Sequence, residues 1–358
     1  MQSVTGPVRV EDLGFVLPHE HVFIDQRWVL GLADWPLFPA DQPITLGNVG
    51  LVRRRSHSVP TNLVLDEPAV AADELARYRA GGGSTIVELT PRGLTPDPPA
   101  LAAISRETGV TIVCSTGYYK QTTHPPELLE KAVGEVAREF IDDLTAGIAG
   151  SGIRAGVIGE IGIGTPVHPE ELKVLRAAAV AAKETGSAVW VHLSDDWATG
   201  PLSSASYWST AGSPAARSAP TAVDTILQEG LDPSRVVLCH MDLTADDGDY
   251  QRRLAERGVN LEFDTFGAEW GKEEWRSPMP SDLQRIGAVR RLFDHGHGSQ
   301  VLISHDACTK VQWSAYGGHG YTYIPESIIP LMLARGFADD EIELITRRNP
   351  GRLLSPAA

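Results

Sequence analysis

The chain has 358 residues, of which 42% are hydrophobic and 22% are charged, so its composition is globular and excludes a wholly disordered protein. Its 46 Asp and Glu residues outnumber 31 Lys and Arg residues, which gives a formal net charge of -15 at pH 7. A chain this acidic is not expected to bind nucleic acid or an anionic membrane surface, because the phosphates of either would repel it.

Short apolar runs recur along the chain, and each is followed by polar residues and then by a helix-like segment. Runs this continuously apolar and β-branched are typical of strands that are buried on both faces. The eight predicted strands are FVLPHEHVFID (15–25), STIVELT (84–90), TIVCSTG (111–117), AGVIGEIG (155–162), AVWVHLS (188–194), VVLCHMD (236–242), NLEFDTFG (260–267) and VLISHDA (301–307).

The helix-like segments carry terminal signals. Segment 67–83 ends in glycines, and segment 169–186 begins with Pro and acidic residues and ends in Gly. Segments 221–230 and 282–296 are similar. Alternating strands and helices predict a parallel sheet, and eight units predict one closed (β/α)8 TIM barrel over 1–358. The alternative is an open doubly wound sheet, but no GxGxxG turn follows the first strand.

The excess length lies after strands, in insertions at 26–66, 195–220 and 268–281. Long loops after barrel strands are expected to build the C-terminal face, where active sites of this fold lie. Seven of the eight tryptophans fall in such loops, namely Trp28, Trp35, Trp197, Trp208, Trp270, Trp275 and Trp313. They either anchor the loops or form an aromatic pocket wall, and both interpretations stay open.

Two histidines stand two residues apart in the first predicted strand. Because side chains alternate along a strand, His19 and His21 are expected on one face and Glu20 on the other. Two imidazole groups on one face can bind a single metal ion. Alone, the pattern is weak, because His-x-His also arises by chance.

Four further strand ends carry metal-binding residue types. They are Glu160 on strand 4, His192 on strand 5, His240 on strand 6 and Asp306 on strand 8. In a barrel these ends meet at the C-terminal mouth. Any one of these residues is more simply explained as a buried core residue whose hydrogen bonds are satisfied. That explanation would have to hold by chance at the ends of five separate strands. Such ligands suit Zn, and also Mn, Fe or Co, and six exceed the four of a tetrahedral zinc, which favours two divalent metal ions per chain.

Other chemistries find little support in the sequence. There is no GxSxG elbow and no GxxxxGK[ST] loop. His305 adjoins Asp306 and is expected to point away from the metals, whereas His319 lies in GGHGY (317–321), a loop that could close over a substrate. Arg92, Lys120 and Lys310 follow strands 2, 3 and 8, and they either attract an anionic substrate group or are solvated surface charges.

The location of the protein is predicted from what the chain lacks. Its N-terminal segment has neither the basic start nor the apolar core of a signal peptide, and no apolar run approaches the roughly 20 residues of a membrane span. Cys114, Cys239 and Cys308 are odd in number and lie in or beside apolar runs, which is typical of reduced structural thiols. We therefore expect a cytoplasmic protein.

A series of motifs in this order resembles the phosphotriesterase family of the amidohydrolase superfamily, and its phosphotriesterase-related branch in particular. The motifs are LPHEHVFID, GGGSTIVELT, ISRETGVTIVCSTGYY, AGVIGEIG, VLCHMD, LEFDTFG and ISHDACTK followed by YGGHGY. The similarity runs from about Leu13 to RRNPGRLL near the C-terminus.

The resemblance implies a barrel with a binuclear metal centre and a homodimer. The ligands would be His19, His21 and Asp306 on the more buried metal and His192 and His240 on the more exposed one, with Glu160 bridging them. Many family members bridge instead with a carboxylated lysine. Tyr119 matches an aromatic position beside the metal-bridging hydroxide, although it could merely anchor a loop.

One departure from the family pattern bears on the substrate. Organophosphate-active members carry a proton-relay histidine directly after the Asp of strand 7, whereas here Asp264 is followed by Thr265. We therefore predict that the bridging hydroxide attacks an ester, lactone or amide, with Asp306 accepting its proton. The alternatives are a phosphotriester hydrolase with the same site and a non-catalytic barrel that binds ligands. The residues expected near the substrate are Arg92, Trp270, Lys310, His319 and Tyr321.

Overall fold

The computed structural model describes residues 1–31, 38–193, 214–269 and 279–357. Within them, eight strands form one sheet in which each strand pairs in parallel with the next along the chain. The strands, β1 to β8, are Phe15–Glu20, Gly83–Glu88, Thr111–Thr116, Val157–Ile163, Val189–Leu193, Val236–Leu238, Asn260–Phe263 and Val301–Ile303. All eight strands predicted from the sequence are present.

The edge strands β8 and β1 are joined by a buried glutamate. Glu20 accepts hydrogen bonds from the Ser304 hydroxyl at 2.8 Å and from the Ala307 amide at 3.0 Å. The same Ser304 oxygen accepts from the His19 amide at 3.1 Å, and the Asp306 amide donates to the His19 carbonyl at 3.2 Å. These bonds close the ring of strands, and the predicted TIM barrel is confirmed.

Seven helices among the described residues, α1 to α7, each follow the strand of the same number. They are Pro68–Ala80, Pro98–Thr108, Val133–Thr145, Pro169–Thr185, Pro214–Gln228, Gly248–Ala255 and Asp282–Asp294. Helical segments also follow β8, at Ile324–Ile328, Ile329–Ala334, Asp339–Glu343, Leu344–Arg348 and Asn349–Leu354. None of the described helices is long and apolar enough to cross a membrane.

Local signals account for the helix ends. Helix α4 starts with Pro169 and with a reciprocal cap between His168 and Glu171, and it stops at Gly186, whose φ is 72°.

Helix α5 differs from the expectation, because it begins at Pro214 and includes Pro220. The sequence predicts a helix over 221–230, and Pro220 lies inside the observed helix even though an internal proline removes a helical hydrogen bond. The insertion predicted at 195–220 therefore ends before residue 214.

The first insertion is closed at its base by a short antiparallel pair, Ile24–Asp25 with Val64–Leu65. The described residues between these strands include the short helix Val49–Arg54 and the 3₁₀ turns Arg27–Gly31 and Pro60–Leu63. The other two insertions lie largely outside the described residues. So do five of the loop tryptophans, namely Trp35, Trp197, Trp208, Trp270 and Trp275.

A compact apolar layer lies among the strands beneath their C-terminal ends. Its buried members include Val16, Val87, Val113, Val157, Trp190, Val237, Cys239 and Leu302. Trp190 stands two residues before His192, so strand alternation directs both side chains to the same face. This layer forms a rigid apolar floor under the polar residues at the strand ends.

Candidate metal centre

The six side chains proposed as ligands lie together at the C-terminal ends of β1, β4, β5, β6 and β8. They form two groups, and in each group the ligand atoms lie within 4.8 Å of one another: His19, His21 and Asp306, and Glu160, His192 and His240. His21, His240 and Asp306 lie just beyond the ends of their strands. The observed strands are thus shorter than predicted because their last polar residues leave the sheet to form the site.

The first group is built on β1. The Nε2 atom of His21 lies 3.2 Å from Asp306 Oδ1, and that of His19 lies 3.8 Å from the same oxygen. Glu20 points to the opposite side, where its carboxylate meets His305 Nδ1 at 2.7 Å. His305 therefore belongs to the barrel closure and not to the ligand groups.

Glu160 lies between the two groups. Its Oε1 atom is 3.3 Å from His19 Nε2, 2.9 Å from His192 Nδ1 and 3.5 Å from His240 Nε2. Its Oε2 atom is 3.6 Å from His21 Nε2. A single carboxylate thus reaches the nitrogens of four histidines.

The residue before Glu160 has to be glycine. The φ of Gly159 is 141°, a conformation that L side chains rarely adopt. A Cβ atom at this position would also lie 2.7 Å from the Trp190 Cβ atom. Gly159 therefore lets β4 approach β5 closely at the level of the site.

For two of the proposed ligand histidines, the hydrogen-bond partners determine which ring nitrogen carries the proton. The Nδ1 of His240 lies 2.8 Å from Asp264 Oδ1, a carboxylate that can only accept, so Nδ1 carries the proton. Thr90 donates its one hydroxyl proton to Glu88 at 2.6 Å, so its oxygen accepts from His21 Nδ1 at 2.8 Å. Each ring therefore directs the lone pair of Nε2 into the site.

The electrostatic environment favours positive charge. Burial by itself would lower the pKa of His19, but Glu160 and Asp264 raise it well above its usual value. At His240, burial would also lower the pKa, but Asp264 raises it well above its usual value. Burial would raise the pKa of Glu160, but His19 and His192 lower it well below its usual range. Only at His192 does burial prevail, lowering the pKa to about 4.

Two of the candidate ligands have unusual backbone conformations. The φ angles of His240 and Asp306 are 59° and 49°, in the left-handed region. Within the described part of the chain, only Thr95 and Ala149 are other non-glycine residues with positive φ. Such conformations are concentrated at functional sites, where the surrounding structure holds them.

A divalent cation fits these residues. The Nε2 atom of His19 is buried and lies 3.3 Å from Glu160 Oε1, but it forms no well-aligned hydrogen bond with any of the described residues. Buried polar atoms are nearly always satisfied, so an orphaned imidazole nitrogen facing carboxylates indicates a missing ligand. Imidazole and carboxylate donors are those that Zn and neighbouring transition metals accept.

Tyr119 lies beside the second group. Its hydroxyl oxygen is 2.9 Å from His192 Nε2, and the two ring centroids are 4.6 Å apart. Trp28, a tryptophan of the first insertion, meets Tyr119 edge-on at a centroid distance of 5.8 Å. Burial first, and then Glu160, raise the pKa of Tyr119 well above its usual value, so the hydroxyl keeps its proton.

The cations expected near the substrate are engaged within the chain. Arg92 Nη2 lies 2.5 Å from Asp143 Oδ2, and its guanidinium lies over the Tyr118 ring. Lys310 forms an ion pair with Glu67. Both charges are therefore compensated, which weighs against the interpretation that they attract an anionic group.

The other expected substrate residues occupy different positions. Tyr321 is fully buried, and its hydroxyl donates to the His21 carbonyl at 2.6 Å, so it supports a ligand strand. His319 stacks on His305 at 5.2 Å between centroids, and its Nε2 atom is buried without a hydrogen-bond partner within the described ranges. Trp270 lies outside the described residues.

Thr265, at the position of the relay histidine, belongs to a buried network. Its hydroxyl donates to Asp242 and accepts from Arg285 Nη2 at 2.8 Å. Arg285 is fully buried, and it also donates to Asp242 at 3.0 Å and to Asp282 at 2.8 Å. Arg285 was not among the residues predicted from the sequence, although Asp282, Ile286 and Val289, at helical spacing along α7, are buried with it.

We expect Arg285→Met to lower the free energy of unfolding by about 3–5 kcal/mol, because Asp242 and Asp282 would be left buried without their cation. Denaturant unfolding of the variant and the parent protein measures the difference. The control is Arg290→Met, which removes ion pairs with Asp294 and Glu341 at a partly exposed site and should cost about 1 kcal/mol or less. Equal losses in both variants would contradict the prediction.

A profile of the phosphotriesterase family matches residues 1–212 and 209–354 of the chain. A phosphotriesterase-related protein of Nematostella vectensis is 36% identical over 357 residues, which cover 98% of this chain and 96% of that protein. An N-acetyltaurine hydrolase of Danio rerio is 33% identical over 364 residues, which cover 99% and 97%. The crystal structure of a resiniferatoxin-binding protein from Rhodobacter sphaeroides has 32% sequence identity and a TM-score of 0.88, with 99% of this chain and 94% of that chain covered. The chain therefore belongs to the phosphotriesterase family and is a metal-dependent hydrolase.

Proposed function

We propose that the chain hydrolyses a carboxylic ester, lactone or amide at a centre of two divalent metal ions, with Zn preferred and Mn, Co or Fe as alternatives. The observation that carries this proposal is the convergence of six imidazole and carboxylate groups in two adjoining sets, one of which contains His19 with its unsatisfied Nε2 atom. A single tetrahedral zinc would use only four of them.

The two groups of side chains suggest how the ligands are divided. His19, His21 and Asp306 would hold one ion, and His192 and His240 would hold the other. Glu160 would be shared, because its two oxygens face nitrogens of both groups. It would thus take the place of the carboxylated lysine that many family members use.

The bound ions would supply a water with a pKa lowered to about 7 and would polarise the scissile carbonyl group. Asp306 is suited to handle the proton, because its side chain is 19% exposed whereas that of Glu160 is 3% exposed. Its carboxylate can accept the proton of the attacking water and return it to the leaving group, provided that the leaving atom comes within hydrogen-bond reach. Tyr119 remains protonated and orients the His192 ring through its hydroxyl.

N-acyl amides are the first substrates to test within this class. The Danio rerio relative, which matches over 99% of this chain, is an N-acetyltaurine hydrolase. The hydroxyl of Thr265, already bonded to Asp242 and Arg285, is a poor substitute for a relay histidine, because its pKa lies far from neutrality. An amide or ester leaving group would need no relay if it takes the proton from Asp306 directly.

Family resemblance also suggests a homodimer, and the three cysteines in or beside apolar runs suggest a cytoplasmic location. Sedimentation of the purified protein would test the oligomeric state, and fractionation of the source cells would test the location.

We expect metal-reconstituted protein to hydrolyse the best N-acyl amide, ester or lactone with a kcat/KM at least about 100-fold above that for a paraoxon-like triester, which is the low end of what acid–base catalysis contributes. Initial rates over a matched panel measure this ratio. The control is Asp306→Asn, which should lower every true rate by about 10²–10⁴-fold and leave contaminant rates unchanged. A large preference for the triesters would show that Thr265 does not discriminate between the substrates.

A further inference from the structure

Strand β7 and the residue that follows it contribute none of the proposed ligands, yet they place two carboxylates behind one of them. Glu262 and Asp264 stand two residues apart, so alternation directs both to the same face. The Nδ1 atom of His19 lies 2.9 Å from Glu262 Oε2 and 3.1 Å from Asp264 Oδ2. All three side chains are fully buried.

The two carboxylates differ in their other partners. Asp264 also accepts from the His240 amide at 2.9 Å and from His240 Nδ1 at 2.8 Å, so it is shared between both ligand groups. Glu262 has one other partner among the described residues, the Trp190 Nε1 group at 3.3 Å. Of the two hydrogen bonds to Glu262, the one from His19 is therefore the shorter, and His19 is the only proposed ligand that Glu262 contacts.

A carboxylate in this position is costly unless it has a role. Glu262 is fully buried, and its two partners in the described part of the chain are the His19 ring and the Trp190 indole. An amide or apolar residue would fill the same space without the desolvation penalty of a charge. The residue is therefore explained better by what it does to His19 than by its contribution to packing.

We propose that Glu262 is a positioning residue that holds the proton of His19 on Nδ1 and thereby keeps the Nε2 lone pair directed at the metal site. The inference rests on the metal centre proposed above. Outer carboxylates that bind the far nitrogen of a ligand histidine orient the ring and increase its basicity. Because Glu262 reaches His19 and no other proposed ligand, its influence should be confined to one of the two ions.

His21 is held by a similar but longer arrangement, which provides a comparison. Its Nδ1 donates to Thr90, and Thr90 donates to the buried Glu88. Thr90→Val removes this acceptor with little change in volume. It should weaken the same ion as a loss at Glu262, because His19 and His21 belong to one group.

The test compares Glu262→Gln with Glu262→Met in the full-length protein. Zinc is titrated into each metal-free variant against a chromophoric chelator, which counts the bound equivalents and gives the affinity of each. We expect Glu262→Met to weaken one of two equivalents by about 10–100-fold, as loss of an outer partner does in other metal sites. Glu262→Gln should stay close to the parent protein, because the amide oxygen still accepts from Nδ1. Melting temperatures of the metal-free variants separate this effect from a general loss of stability.

The outcomes distinguish the two proposals. A parent protein that binds no zinc overturns the metal centre itself. A parent protein that binds two equivalents, with Glu262→Met unchanged, overturns only the role of Glu262. A third equivalent that is lost in Glu262→Met also overturns that role, because the His19, Cys239, Glu262 and Asp264 cluster would then be a metal site.

A second measurement needs no variant at Glu262 and so can still overturn the proposal if Glu262→Met fails to fold. Nitrogen NMR of histidine rings in the zinc-loaded parent protein reports which nitrogen carries the proton, and His19→Asn identifies the His19 signal. We expect the proton on Nδ1 of His19. A proton on Nε2 would overturn the inference.

Discussion

Replacing Glu160 with alanine should remove both metal ions and lower kcat/KM by about a thousandfold or more, since bound metals contribute several kcal/mol of transition-state stabilisation. The reason is its position between the two ligand groups, within 3.6 Å of the nitrogens of four histidines. A non-bridging ligand would affect one ion. The loss of a carboxylate that faces both groups should affect both.

Elemental analysis and zinc titration measure the stoichiometry, with His192→Ala as the matched control. His192 belongs to the second group only, so its replacement should lower occupancy of one site and leave about one equivalent bound. Glu160→Gln keeps the shape and removes the charge, and it should resemble the alanine variant in metal content. If Glu160→Ala still binds two equivalents, Glu160 is not shared and the division of ligands is wrong.

The barrel could be predicted because its signals are local and repeated. Each strand is a short apolar run, and each ends in residues whose side chains can only be placed at the mouth of a parallel barrel. His19, His21, Glu160, His192, His240 and Asp306 could be grouped on that basis without any knowledge of their contacts, and the structure brings them together. The resemblance to the phosphotriesterase family, stated on the motifs around them, is confirmed.

The residues behind the ligands could not be identified in the same way. Glu262 meets His19 across 243 positions of sequence, and Glu20 meets His305 across 285. Nothing local indicates which buried carboxylate faces which ring. The available signal was the charge itself, because a glutamate inside a strand that is buried on both faces requires a partner.

The roles of the charged residues that follow the strands could not be predicted from the sequence either. Arg92 and Lys310 follow strands at the mouth, as an anion-binding residue would, but Asp143 and Glu67 neutralise them from distant parts of the chain. Tyr321 lies in a loop that the sequence suggested could reach a substrate, whereas its hydroxyl is bonded to the His21 carbonyl inside the protein. Ion pairs and loop packing depend on long-range contacts, which patterns of neighbouring residues do not contain.

Removal of the metals with a chelator should abolish hydrolysis, and the return of divalent metal alone, without bicarbonate, should restore it fully. A carboxylated lysine would need carbon dioxide to form, but β4, Val157–Ile163, contains no lysine. Glu160 supplies its carboxylate directly, held 2.9 Å from His192 Nδ1. Reassembly should therefore depend on the metal concentration and not on dissolved carbonate.

The measurement compares recovery of activity in carbonate-free buffer with recovery after added bicarbonate, at equal zinc and with melting temperatures to confirm that the chelated protein stays folded. The two recoveries should agree. Lys173, on helix α4 outside the barrel, donates to the Leu128 carbonyl at 2.6 Å and pairs with Glu170 at 2.5 Å, so it is engaged away from the ligand groups. Lys173→Met should accordingly recover like the parent protein. A strict requirement for bicarbonate would mean that some lysine completes the site, and that Glu160 does not suffice as the shared carboxylate.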